Sequence, residues 1–368
     1  MSNKILLTGG HAGSTALATI KAIQKARRAT QEIYWVGAAS AHTGINTGKT
    51  FEEREFGKHD INYLKIHAGK IPRKITFYAL INSLLLPVGF FEALWLIAKI
   101  RPNVIVSFGG YAAFPVVVIG YLMQIPIVIQ EQTVVAGLTN RITARLASKI
   151  AIGRPQSMDF FPKSKTVLTG LPLSEDITSL GPKPKIGKPP VLLVTGGSRG
   201  ARPINQVIGK ALTEILKKFK VIHLTGEIDF SRVEGFKDTL SEDLARRYEV
   251  HAHVAPDEMK ELYKKSDIII SRAGANSAAE ILSVGRPAII IPLPITWFDE
   301  QRKNAQLAEN AGIAEVIEQK DLNKHTLLTT LNKILKNWDA MTKNYDRSWA
   351  KLDKNAANNV AEIVLSYL

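Results

Sequence analysis

Two glycine-rich turns contain the residue types best suited to holding a phosphate. GGHAGS (Gly9–Ser14) follows the apolar run Ile5–Thr8, and GGSRGA (Gly196–Ala201) follows Val191–Thr195. A strand, a glycine turn and a helix together bring backbone N–H groups to an anion at the helix N-terminus. Glycine could also serve only to permit a positive φ in a tight turn. His11 in the first turn is a candidate general base, since its ordinary pKa lies near neutrality.

Neither turn has the pattern of a common nucleotide-binding loop. G-x-G-x-x-G is absent from both, and the next predicted strand, Ile33–Val36, is not followed by the acidic residue that would bind a ribose. The G-K-[ST] of a P-loop is missing as well. We therefore do not expect NAD binding or a P-loop nucleotide site.

A third turn, in SRAGANSAAE, contains a carboxylate at a predicted helix start. The spacing of Ser277 and Glu280 predicts a capping box, with Glu280 bound to the N–H of Ser277. Alternatively, Glu280 accepts hydrogen bonds from vicinal ribose hydroxyls. Downstream, Gln301 and Asn304 lie at helical spacing and suit sugar hydroxyls, although a solvated helix face is the simpler explanation of a lone Gln. Asp299 could cap that helix.

The elements that position these residues follow an alternating pattern. Short apolar runs alternate with helical patterns, which predicts βαβ units and parallel sheets. The predicted strands are Ile5–Thr8, Ile33–Val36, Val104–Ser107, Ile127–Ile129, Val167–Leu168, Val191–Thr195, Val221–Leu224, Ile268–Ser271 and Ala288–Pro292. A boundary between two Rossmann-like domains is predicted near Pro172–Pro190, because Ser179–Pro190 is rich in Pro and Gly. At the end, Asn355–Leu368 is predicted to be an amphipathic helix that packs on another element.

Composition limits the possible partners. The 368 residues include 48 Lys and Arg against 33 Asp and Glu, a net charge of +15, and no cysteine. The length suggests two domains, and the lack of cysteine excludes disulfides and thiolate chemistry. The positive charge favours nucleic acid, acidic lipid or a phosphorylated substrate, or it reflects only a basic surface.

The segment Arg73–Arg101 is the most apolar part of the chain and is bracketed by basic residues. It reaches the length of a membrane-spanning helix, but Pro87–Gly89 and Glu92 argue against spanning. We expect two short helices around a Pro-Gly corner that lie in the lipid interface. The alternative is a crossover helix inside the core. The proposed membrane patch comprises Phe77, Leu80, Leu84, Leu85, Phe90, Phe91 and Trp95, with Arg73 and Lys74.

Six motifs, taken together and in order, resemble the MurG family of N-acetylglucosaminyltransferases. They are GKIPRK, SFGGYAAFPVVV, IQEQTVVAGLTNRITARLA, LLVTGGSRGARPIN, SRAGANSAAE and DEQRKNAQ. The resemblance implies an α/β protein with the two-domain GT-B fold. It also implies inverting transfer of GlcNAc from UDP-GlcNAc to the C4 hydroxyl of undecaprenyl-pyrophosphoryl-MurNAc-pentapeptide, which converts lipid I to lipid II in peptidoglycan synthesis. No metal or cofactor is implied.

The resemblance further implies where the chain acts. An anionic membrane surface, UDP-GlcNAc and the undecaprenyl-linked acceptor would be its partners, with no nucleic acid. The protein would be peripheral on the cytoplasmic face of the cell membrane and would serve cell-wall biogenesis, cell shape and cell division.

The resemblance also assigns domains and residues. Residues 1–172 would form the acceptor and membrane-binding domain, residues 173–345 the donor domain, and a C-terminal helix over residues 346–368 would pack back on the first domain. The general base would be His11 or, in reserve, Glu131, and the acceptor side would include Gly9, Gly10, Tyr111 and Gln132. The donor would be bound by Gly197, Ser198, Arg199, Ala275, Glu280, Gln301 and Asn304, with Glu280 on the ribose.

The chain departs from the family pattern at several positions. The first glycine loop is shortened, so that His11 does not align with the family histidine. Thr133 stands where the family has Asn in E-Q-N, Leu173 where it has Arg, and Glu300 where it has His or Gln. These departures leave two alternatives open, a UDP-sugar transferase acting on another membrane lipid such as diacylglycerol and a non-catalytic nucleotide-sugar-binding membrane protein.

Overall fold

The computed structural model describes residues 3–10, 12–26, 31–39, 51–68, 86–197 and 200–368, with Trp297 as backbone only. The predicted site residues His11, Ser198 and Arg199 therefore lie outside the described residues. So do the patch residues Arg73, Lys74, Phe77, Leu80, Leu84 and Leu85.

Strands and helices are numbered along the chain. The strands are β1 Asn3–Thr8, β2 Gln31–Ala38, β3 Ile61–Ile66, β4 Val104–Ser107, β5 Ile127–Glu131, β6 Lys149–Ile152, β7 Thr166–Leu168, β8 Val191–Thr195, β9 Lys220–Leu224, β10 Tyr248–His251, β11 Ile268–Arg272, β12 Ala288–Ile291 and β13 Ala314–Val316. The α-helices are α1 Gly13–Lys25, α2 Phe51–Glu55, α3 Leu86–Ile100, α4 Ala113–Leu122, α5 Leu138–Thr143, α6 Glu175–Thr178, α7 Arg202–Leu216, α8 Phe230–Glu234, α9 Glu242–Ala245, α10 Met259–Lys265, α11 Ala275–Val284, α12 Glu300–Asn310, α13 Lys324–Asn344, α14 Ser348–Lys354 and α15 Ala356–Leu365. Short 3₁₀ segments are Phe56–His59, Ala144–Leu146, Pro155–Phe160, Lys163–Lys165, Gly235–Thr239, Trp297–Asp299 and Gln319–Asp321.

The chain divides into two compact units. The first unit comprises Met1–Ser174 and Asn355–Leu368, and the second comprises Glu175–Lys354. The first contains a seven-stranded sheet in the order β3-β2-β1-β4-β5-β6-β7, and the second a six-stranded sheet in the order β10-β9-β8-β11-β12-β13. All the strand pairings are parallel. The predicted α/β class with two Rossmann-like units is confirmed.

The central strands are buried on both faces, as their continuous apolar sequences require. Every residue of β4, β5, β11 and β12 is buried. Parallel strands covered by helices on both sides have no solvent-facing positions, so alternation between apolar and polar residues disappears. This burial is why these strands were recognisable from sequence.

Each sheet has a point at which its strand order reverses, and the loops there are where open α/β sheets bind ligands. In the first unit this point lies between β1 and β4, where Thr8 pairs with Ser107. In the second it lies between β8 and β11, where Thr195 pairs with Ser271. The glycine-rich turns predicted from sequence follow β1 and β8 directly, so both begin at these reversal points.

The last helix, α15, returns to the first unit. Val360, Ala361 and Val364 are fully buried and share a hydrophobic cluster with Leu17 and Ile20 of α1. The predicted amphipathic helix at the C-terminus is therefore present, and its apolar face covers α1.

The Pro- and Gly-rich segment before β8 has no regular secondary structure, as predicted, but it is tightly anchored. The Asp267 carboxylate is fully buried and accepts hydrogen bonds from Lys183 Nζ at 2.7 Å, the N–H of Gly187 at 3.0 Å and the N–H of Val191 at 2.7 Å. One buried carboxylate therefore fixes this segment of the second unit just before β8.

The apolar segment of the first unit forms α3 from Leu86 onward. Pro87 lies in the first described turn of α3, and Gly89 packs so closely against the Ala68 backbone that a Cβ there would require a small movement. The predicted corner at Pro87–Gly89 stays a prediction, since these residues are helical but the chain immediately before Leu86 is outside the described residues. Whether a second short helix precedes it lies outside the described residues.

Candidate active site

Two glycine pairs meet at the carboxyl edge of the first sheet. The N–H of Gly10 donates to the carbonyl of Gly109 at 3.0 Å, and Gly109 and Gly110 have φ values of +76° and +86°. A Cβ on Gly110 would lie 2.8 Å from the Gly10 nitrogen. Only glycine permits this backbone contact, which brings the loops after β1 and β4 together.

Glu131 ends β5 and organises the loop that follows it. Its Oε1 accepts from the N–H of Thr133 at 3.1 Å and from the Thr133 hydroxyl at 2.9 Å. Its Oε2 accepts from the N–H of Gly137 and from Asn140 Nδ2, both at 2.9 Å. The side chain is almost wholly buried. Thr133, which replaces the family Asn, thus places its hydroxyl between this carboxylate and the carbonyl of Val135.

The other residues predicted for the acceptor side lie nearby in the same unit. Tyr111 follows Gly110 and packs against the hydrophobic cluster beneath α4, and Gln132 is half-buried beside Glu131. Leu173, at the position of the family Arg, is buried with 6% of its surface exposed. A buried leucine offers no charge to a diphosphate, so this position cannot replace the family cation.

The glycine-rich turn of the second unit packs against the strand beside it. Gly197 and Gly200 have φ values of +78° and +74°, and the N–H of Gly200 donates to the Gly197 carbonyl at 3.0 Å. A Cβ on Gly200 would overlap the carbonyl oxygen of Thr225. The turn leads into α7, a helix of 15 residues whose N-cap, Ala201, makes no side-chain capping bond. The N–H groups of Gly197 and Gly200 are bonded within the protein, so the first N–H groups of α7, which have no partner inside the helix, are the ones suited to an anion.

The structure corrects the predicted capping box at Ser277. Helix α11 begins at Ala275 with Gly274 as its N-cap, so Ser277 lies inside the first turn. Glu280 instead accepts a hydrogen bond from the hydroxyl of Tyr263 at 2.7 Å through Oε2. The capping prediction fails because β11 runs on to Arg272 and the chain turns at Ala273–Gly274, which starts the helix earlier than the spacing indicated.

Glu280 and Tyr263 affect each other's protonation. Burial raises the pKa of Glu280 to about 7, and the Tyr263 hydrogen bond opposes this rise. Burial, together with the charge and hydrogen bond of Glu280, raises the pKa of Tyr263 well above its usual value. The tyrosine therefore remains a donor, while the carboxyl group titrates near neutral pH.

Two amide side chains lie on α12, after the loop that follows β12. Gln301 Oε1 accepts from the N–H of Leu293 at 3.0 Å, and Asn304 Nδ2 donates to the carbonyl of Ala273 at 3.2 Å. Within the described part of the chain, the Gln301 amide nitrogen and the Asn304 amide oxygen have no hydrogen-bond partner. One donor and one acceptor therefore remain available for hydroxyl groups.

The turn before α12 is strained. Asp299 is the N-cap, as predicted, but its side chain makes no capping bond, because Asp299 and Phe298 both have left-handed backbones with φ values of 55° and 48°. Such conformations are unfavourable for residues other than glycine and are commonly found at functional sites.

Sequence reasoning missed Arg272, the last residue of β11. Its side chain is 6% exposed and donates to the carbonyls of Ile291 at 3.2 Å and Pro292 at 3.3 Å, and to Gln319 Oε1 at 2.6 Å. It thereby holds the end of β12 in place. The residue after Pro292, Leu293, is the one whose N–H donates to Gln301. An arginine in an otherwise apolar strand was the available signal.

Helix α3 exposes an apolar surface. Phe91 and Trp95 are 72% and 57% exposed, and Lys99 lies over the Trp95 ring at 4.8 Å. Phe90 is half-buried against Phe114. Other exposed apolar residues on α3 and at the end of α4 are Val88, Leu94, Tyr121, Leu122 and Met123. Among the described residues, the helices are all too short or too polar to cross a membrane.

Where the structure describes the chain, no three His, Asp or Glu side chains cluster closely enough to hold a metal ion.

Comparison with known proteins places this chain in a family. The glycosyltransferase family 28 N-terminal domain matches residues 8–152, and the C-terminal domain of that family matches residues 191–362. A UDP-N-acetylglucosamine–N-acetylmuramyl-(pentapeptide) pyrophosphoryl-undecaprenol N-acetylglucosamine transferase from Lachnospira eligens is 32% identical over 90% of each chain. The enzyme of the same name from Clostridium tetani is 29% identical over 100% of this chain and 99% of its own.

Solved structures share the fold. MurG from Acinetobacter baumannii has a TM-score of 0.69 at 24% identity, over 99% of each chain. A UDP-GlcNAc 2-epimerase from Neisseria meningitidis, bound to UDP-GlcNAc, has a TM-score of 0.64 at 13% identity, over 99% of this chain and 100% of its own. From its sequence relatives, with the fold in agreement, this chain belongs to the MurG-type N-acetylglucosaminyltransferases of glycosyltransferase family 28.

Proposed function

We propose that this protein transfers GlcNAc from UDP-GlcNAc to the C4 hydroxyl of undecaprenyl-pyrophosphoryl-MurNAc-pentapeptide, with inversion at the anomeric carbon. The observation that carries the proposal is the 32% identity over 90% of both chains with a transferase named for this reaction. The product would be the disaccharide lipid of peptidoglycan synthesis.

The second unit would bind the donor. Ionised Glu280 has one oxygen engaged by Tyr263, and the other can accept from ribose hydroxyls. The Gln301 amide nitrogen and the Asn304 amide oxygen would hold GlcNAc hydroxyls. Gly197, Ser198 and Arg199 in the glycine-rich turn, and Ala275 at the start of α11, would contact the nucleotide. The leaving UDP gains negative charge in the transition state, so groups aimed at it would accelerate transfer.

The first unit would bind the acceptor. The loops of Gly9–Gly10 and Gly109–Gly110 lie at the reversal point of the sheet, where a pyrophosphate would fit. The N–H groups of Gly10 and Gly109 are already bonded, to the Gly109 carbonyl and to Ser107 Oγ, so the remaining N–H groups of these loops would bind it. Tyr111 and Gln132 border this edge. His11 would take the C4 proton as general base. For Glu131 to take that role, it would have to exchange some of its four hydrogen bonds.

The exposed apolar surface of α3 would rest on the membrane. Phe91 and Trp95 would enter the lipid interface, while Lys99 and the net positive charge of the chain would favour anionic head groups. Glu92 bonds back to the N–H of His67 at 2.6 Å, which keeps this carboxylate away from lipid. The protein would thus be peripheral, on the cytoplasmic face.

Transfer from radiolabelled UDP-GlcNAc tests the proposal. With purified full-length protein and undecaprenyl-pyrophosphoryl-MurNAc-pentapeptide, we expect a labelled disaccharide lipid and stoichiometric UDP. If labelled product forms only with diacylglycerol, then diacylglycerol is the acceptor in place of the undecaprenyl lipid. Binding of UDP-GlcNAc without turnover would indicate a non-catalytic protein. Either result would overturn the proposal.

Substitution of the two candidate bases separates their roles. His11→Gln should lower kcat on the order of 10²–10⁴-fold with little change in the KM for UDP-GlcNAc, since a general base acts in the transition state. Glu131→Gln places an amide donor opposite two of the four donors on this side chain and should lower the thermal midpoint. A folded Glu131→Gln protein with the larger loss of kcat would make Glu131 the base.

A further inference from the structure

A buried chain of hydrogen bonds lies beneath the glycine-rich turn of the second unit. His223 on β9 lies between two partners, with Nδ1 2.8 Å from the Tyr248 hydroxyl and Nε2 3.0 Å from Asn205 Oδ1. Asn205 and His223 are fully buried, and Tyr248 is 3% exposed. The family resemblance assigns no role to any of these side chains.

Asn205 extends this chain to the end of β9. Its Nδ2 donates to the carbonyl of Thr225 at 3.0 Å and to Asp229 Oδ2 at 2.9 Å. The other oxygen of Asp229 accepts from Arg232 Nη2 at 3.0 Å. One side chain in the first turn of α7 thus binds three separate elements, namely β9, the Thr225 carbonyl after it, and the segment leading into α8.

The available partners determine which atom donates and which accepts in each hydrogen bond between Asn205, His223 and Tyr248. The Asn205 nitrogen donates to two oxygens, so its Oδ1 must accept from His223 Nε2–H. His223 Nδ1 then accepts from the Tyr248 hydroxyl. Burial lowers the pKa of His223 to about 3, so the ring is neutral, as this arrangement requires. All the polar atoms that meet here have partners, a condition that favours one unique geometry.

The network is connected to the glycine-rich turn through Thr225. The Thr225 carbonyl that accepts from Asn205 is the same atom that a Cβ on Gly200 would overlap. Asn205 is also in the first turn of α7, where its N–H donates to the carbonyl of Ala201 at 3.0 Å. Hence two contacts with the Thr225 carbonyl fix the distance between the turn and β9. One is the close approach of the Gly200 backbone, and the other is the hydrogen bond from the Asn205 amide.

We propose that Asn205, held by His223 and Tyr248, is a positioning residue that keeps the glycine-rich turn and the start of α7 in the geometry that binds the donor diphosphate. The inference rests on the proposed donor site in the second unit. It adds residues that touch no substrate and that act through the backbone of Gly200 and the first turn of α7. A displacement of that turn weakens contacts to the charged leaving group, because such contacts depend steeply on distance and alignment.

Substitutions at Asn205 and His223 test this role. Asn205→Asp replaces the donating amide by a carboxylate that faces Thr225 and Asp229, and His223→Leu removes both bonds of the ring. We expect each to raise the Kd for UDP, measured by calorimetry, and the KM for UDP-GlcNAc by roughly tenfold to a hundredfold. The KM for the lipid acceptor should not change.

Rescue and a matched control separate positioning from general stability. In His223→Gln an amide can donate to Asn205 and accept from Tyr248, so most of the donor affinity should return. Trp338→Phe removes another buried bond, from Trp338 Nε1 to the Asp267 carbonyl at 2.8 Å, at the amino end of β11. This control should lower the thermal midpoint without changing the Kd for UDP.

The outcomes distinguish this inference from the proposed function. If wild-type protein binds UDP and both Asn205→Asp and His223→Leu bind it equally well, the positioning role is refuted, whether or not transfer occurs. Equal loss of donor and acceptor affinity would also refute it, as would a His223→Gln protein no better than His223→Leu. If wild-type protein binds UDP but transfers no GlcNAc, the proposed reaction fails while the UDP Kd values still decide the role of Asn205. Failure of wild-type protein to bind UDP would overturn both.

Discussion

Tyr263→Phe should make donor binding depend more strongly on pH. The Tyr263 hydroxyl donates to Glu280 at 2.7 Å and favours the ionised carboxylate, whose pKa burial raises to about 7. A hydrogen bond to a charged group contributes about 1.5–3 kcal/mol, and one pKa unit corresponds to about 1.4 kcal/mol. Its removal should therefore raise the pKa of Glu280 further, by about one to two units.

The consequence can be worked out for a donor that binds the ionised form. At pH 7 about half of the wild-type Glu280 is ionised, against roughly 1–10% in the variant, so the KM for UDP-GlcNAc should rise about 5- to 50-fold. At pH 9 wild-type Glu280 is almost wholly ionised and the variant at least about half, so the difference should shrink to about twofold or less. Donor affinity thus falls as pH falls through the pKa, and Tyr263→Phe moves that fall to higher pH.

The assay is the KM for UDP-GlcNAc between pH 6 and 9.5 at saturating acceptor, with two control variants. Glu280→Gln keeps an acceptor for Tyr263 but cannot ionise, so its KM should be high and nearly independent of pH. Tyr345→Phe removes the hydroxyl of another buried tyrosine of the second unit, and its profile should match wild type. A Tyr263→Phe profile that is unshifted, or raised equally at pH 7 and pH 9, would refute the reasoning.

Three further perturbations test other parts of the structure. Asp267→Ala removes a wholly buried carboxylate from its three donors and should lower the free energy of unfolding by roughly 3–5 kcal/mol, measured by urea denaturation; a loss below about 1 kcal/mol would contradict the anchoring role. Phe91→Gln with Trp95→Gln should reduce co-sedimentation with anionic vesicles while the thermal midpoint stays constant, because both side chains are exposed; insolubility would place them in a core. Gly110→Ala should lower turnover and stability together, by roughly 1–3 kcal/mol for the latter, because its Cβ would meet the Gly10 nitrogen; a neutral effect would mean that the loops can separate.

The fold was predictable where strands are buried on both faces. All the strands expected from sequence are present, and the unexpected ones are β3, β6, β10 and β13. Three of these, β3, β10 and β13, lie at sheet edges, and β6 lies next to the edge strand β7. The missed edge strands are partly solvated and carry polar residues among the apolar ones, as in Ile61–Ile66, so they lack the continuous apolar run that marks a central strand. The missed strand β6 is mostly buried, but it has only four residues and begins with Lys149.

The candidate site was predictable only in part, because some of its contacts join distant segments. The resemblance indicated Glu280, but nothing in the spacing indicated that Tyr263 on the preceding crossover helix would bind it. Likewise Asn205 appeared within a motif, yet its partner His223 lies on the next strand. Local patterns predict caps and turns, whereas contacts across a sheet depend on the register that tertiary packing sets.

The packing of α15 on α1 has a consequence for biosynthesis. The first unit is built from two separate segments, whereas the second is one continuous segment, Glu175–Lys354. On the ribosome, Val360 and Val364 are made after the whole second unit, so the face of α1 that they cover stays uncovered while that unit is synthesised. The second unit can fold as one continuous stretch, but the first is complete only after α15 has been made. A nascent chain would therefore display apolar surface to chaperones for the whole time that the second unit is being made.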